Sequence, residues 1–212
     1  MSRLSIPPRD DVPADSKPIL DAVEKQLGVV PNMFRLIASS PAVLQGHTAN
    51  NAALAKTLDV KTRERIALAV AQVNGCDYCL SAHSYLGLNL AKISSEEIAL
   101  NRMGRSGDPK ADAAVRFAAN IARERGRASD ADIETVRKAG FSDGQIVEII
   151  AVVAENIFTY LLNIVAGTEI DFPVVHAAEA ACYDIGNTLP CTFTILLARC
   201  IGQIVHDNGC HQ

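Results

Sequence analysis

The sequence predicts an all-α protein. Apolar residues recur at helical spacing through most segments, and helix start and stop signals punctuate those segments. No alternating apolar-polar run outweighs these patterns. The 212 residues allow one domain or two small ones, and a composition that is 49% hydrophobic supplies a sizeable core.

Residues 1–15 are rich in Pro, Asp and Arg, have no period, and read as an extended arm lying on a neighbour or in solvent, without a core of its own. Ile19, Leu20, Val23 and Leu27 then mark an amphipathic helix that Gly28 can close. A short helix follows over 31–38, with Met33, Phe34 and Ile37. Ser40-Pro41 reads as an N-cap with Pro at the first helical position, opening a long Ala-rich helix that ends near Thr57. The segment 59–74 is a helix with Ile66, Val70 and Val73 along one stripe, stopped by Asn74-Gly75. The next helix starts at Cys76 and runs to about Leu86, with Gly87 as its stop signal. Ser94 and Glu97 form a capping box for a short helix. Asp108-Pro109 opens a helix reaching Gly126, and 129–139 is a further short helix closed by Gly140. Ser142 and Gln145 make a capping box, and Phe141 and Ile146 a hydrophobic staple. The helix they open, 146–165, is apolar nearly all round and should be central and buried. Glu148, Glu155, Asn156 and Asn163 interrupt it and are expected to face a partner or a site. Ile66 to Ala71 and Ile149 to Ala154 look alike, a hint of a duplicated helical unit.

Composition narrows the function. A formal charge of -4 with no Lys/Arg-rich run offers no footprint for nucleic acid or an anionic membrane. Residues 1–28 carry Pro, Asp and Lys where a signal peptide needs apolar residues, and no stretch reads as the roughly 18 apolar residues of a membrane span. A cytoplasmic chain is expected, where CxxC reads as redox-active or metal-binding rather than as a structural disulfide. From 174 onward there is no lysine and a single arginine, and Cys182, Cys191, Cys200 and Cys210 fall at irregular spacings. That stretch reads as a scaffold extension whose thiols, with His176, His206 and His211, lack metal-ligand spacing. The expected division is a helical domain over 1–175, its arm 1–15 included, and an extension over 176–212.

The chemistry concentrates at Gly75-Cys76-Asp77-Tyr78-Cys79-Leu80-Ser81-Ala82-His83. In a helix, at about 100° per residue, Cys76, Cys79 and His83 share one face. A second thiol, a helix N-terminus and a neighbouring imidazole each lower a cysteine pKa, and this stretch supplies all three. If the helices on either side of Asn74-Gly75 form an antiparallel hairpin, residues whose numbers sum to about 149 lie level. Glu64 then falls opposite Tyr85 and one turn from His83. The result is a Glu64, His83, Cys79 proton relay with Cys76 as the second thiol. No cofactor or metal is called for, although Cys76, Cys79, His83 and Glu64 could complete a zinc site of an uncommon ligand set. His47 reads as a surface or interface histidine, and Glu155 as a residue either paired inside an oligomer interface or near the active site, the interface being the favoured reading.

Glu64 through Ala71, followed by Asn74 through His83, resembles the core of the AhpD-like alkylhydroperoxidases in the carboxymuconolactone decarboxylase superfamily. Val30-Pro31-Asn32-Met33-Phe34 and Gly167 to Pro173 resemble its peroxidase-related branch, so the likeness runs over 6–175. Tyr78 stands where the best-known members carry a histidine. The resemblance implies an all-helical, AhpD-like multi-helical bundle with a catalytic helical hairpin, working as a homo-oligomer, a trimer or hexamer. It implies reduction of a small hydroperoxide, or of a peroxiredoxin partner, with electrons from a thiol donor such as dihydrolipoamide. Cys79 would attack the peroxide, Cys76 would resolve, and Glu64 and His83 would relay protons. The alternatives are the acid–base chemistry of a carboxymuconolactone decarboxylase, which needs no dithiol, and a thiol sensor that does not turn over.

Overall fold

A computed structural model describes residues 2–177. The thiols Cys182, Cys191, Cys200 and Cys210, His206 and His211, and all but the first two residues of the expected extension, lie outside the described residues. The described elements are helical: α1 Lys17–Leu27, α2 Asn32–Ile37, α3 Pro41–Leu54, α4 Val60–Asn74, α5 Asp77–Asn89, α6 Ser95–Arg102, α7 Pro109–Arg123, α8 Asp130–Lys138 and α9 Asp143–Ala166. No strand occurs among the described residues.

Side-chain caps set most helix starts. Asp59, Asp108, Ser129 and Ser142 each accept a backbone N–H from the first turn, and Ser129–Asp132 and Ser142–Gln145 form complete capping boxes. Ser94 caps α6, but Glu97 does not return the bond. Its carboxylate is taken by Asn101, Ser106, Gly107 and Arg65. Ser40 makes no side-chain cap, so Pro41 alone marks the start of α3.

The centre of the fold is α4 rather than α9. Six consecutive residues of α4, Ile66 to Ala71, are buried, because α5, α6, α7 and α9 surround the helix. Ile66 and Val70 share one cluster with Phe117 and Ile121 of α7, Val136 of α8, and Ile146, Ile149 and Val153 of α9. The two look-alike segments on α4 and α9 therefore pack in one core. Fully burying a Leu or Ile side chain is worth about 1.5–3 kcal/mol, so this cluster anchors the helices that carry the site.

Helix α9 is buried on one side only. Ile146, Ile149, Val152 and Val153 face the core, whereas Val147, Ile150, Leu161, Ile164 and Val165 are exposed. Among the described residues α9 is also the one helix long and apolar enough to cross a membrane by length and composition, which the sequence reading did not anticipate. Its core-facing residues show it acting as a packing helix.

Two further expectations change. Gly87 does not end α5. It lies inside the helix and is buried, with Ile98 3.4 Å from where a Cβ would stand, so its small size admits α6. The N-terminal arm is not loose either. Val12 is buried in the cluster of Leu20, Ile37 and Leu44, the Ser16 hydroxyl donates to the Ala38 carbonyl at 2.7 Å, and Arg35 donates to the Pro7 carbonyl.

Candidate active site

The turn between α4 and α5 builds the site. Gly75 adopts the left-handed conformation (φ 67°), so its N–H reaches the Gln72 carbonyl while the Cys76 N–H reaches the Ala71 carbonyl. This Schellman arrangement stops α4 and reverses the chain at once. Cys76 then becomes the N-cap of α5, and its sulfur accepts the Cys79 N–H at 3.2 Å. Cys79 thus sits in the first helical turn, where the helix dipole favours a negative sulfur. The two cysteines are joined in a disulfide with a Cα–Cα separation of 5.3 Å. Cys76 is fully buried, while Cys79 reaches the wall of a cavity of about 290 Å³.

The hairpin brings Glu64 and His83 together as its register requires: Glu64 Oε2 lies 2.9 Å from His83 Nδ1. Burial alone would push the imidazole pKa down. The charge and hydrogen bond of Glu64, with help from the Asn156 side chain and the charge on Glu155, outweigh burial and hold it above the ordinary histidine value. The ring therefore holds a proton more readily than an ordinary histidine, on the cavity that Cys79 also lines.

Tyr78, between the cysteines, has a different task. Its hydroxyl donates to Asp171 Oδ1 at 2.9 Å and accepts the Met33 N–H at 3.1 Å, while Asp171 Oδ2 accepts the Asn32 N–H. Burial, reinforced by the Asp171 carboxylate, keeps the phenol protonated. The 30–34 and 167–173 segments thus converge on one side chain and are tied to the motif helix. The chain after Asp171 continues over the same helix: the Val175 N–H donates to Ser81 Oγ and the Ala177 N–H to Asp77 Oδ1, and His176 pairs with Asp77. Tyr78→Phe is expected to cost about 1–3 kcal/mol, because the Met33 N–H and Asp171 each lose a partner. A lowered midpoint in thermal or denaturant unfolding is the check.

Glu155 and His47 are placed on the cavity rather than at an outer face. Their side chains are 11% and 5% exposed, with His47 Nδ1 3.1 Å from Glu155 Oε1. Asn156 lines the same cavity, as does Asn163, whose amide nitrogen lies 3.8 Å from the Cys79 sulfur. A signal for this was present in the sequence. Glu155, Asn156, Thr159 and Asn163 recur at helical spacing, a polar stripe on an otherwise apolar helix. The pairing with His47 carried no such signal, since it joins helices far apart in the chain. No cluster of potential metal ligands occurs among the described residues.

Residues 41–120 match the model of the carboxymuconolactone decarboxylase family. An uncharacterized protein of Haemophilus influenzae is 52% identical over 46 residues, which span 21% of this chain and 41% of that protein. The chain thus covers under half the length of this curated relative. Two solved structures are similar over nearly their whole length. One is an uncharacterized peroxidase-related protein with an alkylhydroperoxidase AhpD core from Ralstonia eutropha JMP134 (TM-score 0.70, 26% identity, 80% of this chain and 92% of that one). The other is a peroxidase-related protein from Silicibacter sp. TM1040 (TM-score 0.70, 26% identity, 79% and 91%). The debrominase Bmp8, solved with 2,3,4-tribromopyrrole, shares the fold at 16% identity and a TM-score of 0.69 over 85% of this chain and 98% of its own. The family match runs through the hairpin that carries Glu64, Cys76, Cys79 and His83, and the structural likeness extends over most of each peroxidase-related chain. On these grounds residues 41–120 belong to the carboxymuconolactone decarboxylase family, and the described chain has the all-helical fold of the AhpD-like peroxidase-related proteins.

Proposed function

We propose that this chain is a thiol-dependent peroxidase that reduces small organic hydroperoxides. The observation that carries the reading is the placement of Cys79. Its sulfur is at the wall of the cavity and at a helix N-terminus, with a carboxylate-backed imidazole one turn along the same helix and a buried partner thiol within disulfide reach. The peroxidase-related neighbours support the same direction.

In this reading the Cys79 thiolate attacks the terminal oxygen of the hydroperoxide. The O–O bond breaks, its electron pair leaves with the alkoxide, which is protonated to the alcohol, and Cys79 becomes a sulfenic acid. The Cys76 thiol then attacks the Cys79 sulfur and releases the hydroxyl as water, leaving the disulfide. Two thiols are oxidised by two electrons and one hydroperoxide is reduced by two. An external dithiol such as dihydrolipoamide restores both thiols. His83, oriented by Glu64, takes the proton from the Cys79 thiol and holds a positive charge beside the thiolate. Apolar cavity residues such as Leu27, Phe34, Leu86 and Phe172 suit an organic body. The exposed apolar row on α9 supports the homo-oligomer that the family resemblance implies.

Sustained consumption of cumene hydroperoxide with dihydrolipoamide as the electron source is the expected result. Oxidation that stops after one turnover would make the chain a sensor, and no thiol oxidation at all would remove the reading.

A further inference from the structure

We propose that His47 is a second proton-transfer residue of this site, the group that protonates the alkoxide as it leaves the hydroperoxide. The proposal rests on the thiol-peroxidase reading above and assigns it a residue that the CxxC motif does not contain.

The two proton tasks of the first step are separated in space. Displacement at the terminal oxygen is in line, so the alkoxide departs on the side away from the Cys79 sulfur. His83 is on the same helical face as Cys79 and balances the thiolate, so the departing oxygen needs a donor from another element. An unprotonated alkoxide leaves poorly, so such a donor has a barrier to lower. His47 comes from α3 and lines the same cavity of about 290 Å³ as Cys79 and His83.

The His47 ring is built in as a site residue is. Phe34 lies with its ring centroid 5.6 Å away and Phe158 6.0 Å away, which fixes the plane of the imidazole. Glu155 holds Nδ1 at 3.1 Å and is itself held by the side-chain amides of Asn50 and Asn51. Nε2 has a long 3.4 Å contact with Asn51 Nδ2, whose shorter bond goes to Glu155. A carboxylate on one nitrogen of a largely buried imidazole fixes the ring's orientation and leaves the other nitrogen to exchange a proton. It repeats the Glu64–His83 pair on a different pair of helices. Both pairs line the one cavity.

The test compares leaving groups in single-turnover oxidation of the reduced 212-residue chain. Cumene hydroperoxide releases an alkoxide that needs a proton, whereas peroxybenzoic acid releases a carboxylate that does not. His47→Gln is expected to slow thiol oxidation by cumene hydroperoxide by about 10²-fold or more, while the peroxybenzoic acid rate holds. Glu155→Gln, which keeps a hydrogen-bonding side chain, should change the same ratio in the same direction and serves if His47→Gln does not fold. Equal slowing with both oxidants, or no slowing with either, would overturn the assignment and leave His47 a structural residue. Loss of no thiols to either oxidant in the wild type would instead overturn the peroxidase reading, and this inference with it.

Discussion

Replacing Cys79 with serine is expected to reduce hydroperoxide turnover to background, a loss on the order of 10⁴-fold or more, as removal of a catalytic nucleophile does elsewhere. The size follows from the chemistry, because a hydroxyl in the same place is not ionised by a helix N-terminus and an imidazole. Cys76→Ser should behave differently. Cys76 is fully buried behind Cys79, so its loss leaves the first oxidation intact and removes the resolving step. The expected product is a sulfenic acid on Cys79, seen by mass spectrometry after dimedone trapping, with no steady-state turnover. Sulfenic acid on Cys76 in the Cys79→Ser protein would reverse the assigned roles.

The second large effect belongs to the Glu64–His83 pair. His83→Gln is expected to slow thiol oxidation by about 10²–10⁴-fold, the usual contribution of a positioned acid–base group. Glu64→Gln should act through the ring rather than on the substrate. Burial pushes the His83 pKa down and Glu64 pulls it up, so losing the carboxylate lowers it. The alkaline limb of the pH–rate profile, where imidazolium is lost, should move to lower pH. A uniform fall in rate with no shift of that limb would show Glu64 to be structural. Stability offers an independent reading of the same pair. Because the folded pKa of His83 is raised, its stabilisation is present in full below the ordinary histidine value of about 6.5 and fades as pH rises through the folded value. The stability gap between wild type and Glu64→Gln should therefore be widest in mild acid and narrow toward alkaline pH.

Much of this was legible in the sequence where the physics is local. Asn74-Gly75 specifies a turn, and the turn sets which residues of α4 and α5 stand level, so the spacing alone pairs Glu64 with His83. The cap residues at Ser94, Asp108 and Ser142 act through neighbours three positions away, and they mark three helix starts. What was illegible depends on residues distant in the chain. Gly87 looked like a stop because a packing role needs knowledge of Ile98 across from it. Helix α9 looked buried all round because its composition cannot say which apolar face meets α4 and which stays exposed. His47 looked superficial because Glu155, Phe34 and Phe158 reach it only through tertiary packing. Tyr78 looked like a substitution at the redox motif, and its use as a strut becomes visible only with Asp171 and Met33 beside it.

The central claim is that the Cys76–Cys79 pair is a dithiol that hydroperoxide oxidises. Its most direct test is a thiol count on the fully reduced 212-residue chain, with its six cysteines, before and after one equivalent of cumene hydroperoxide. The account predicts the loss of two titratable thiols, recovered as a Cys76–Cys79 disulfide on peptide mapping. An unchanged count, or a disulfide formed between other cysteines, would contradict it.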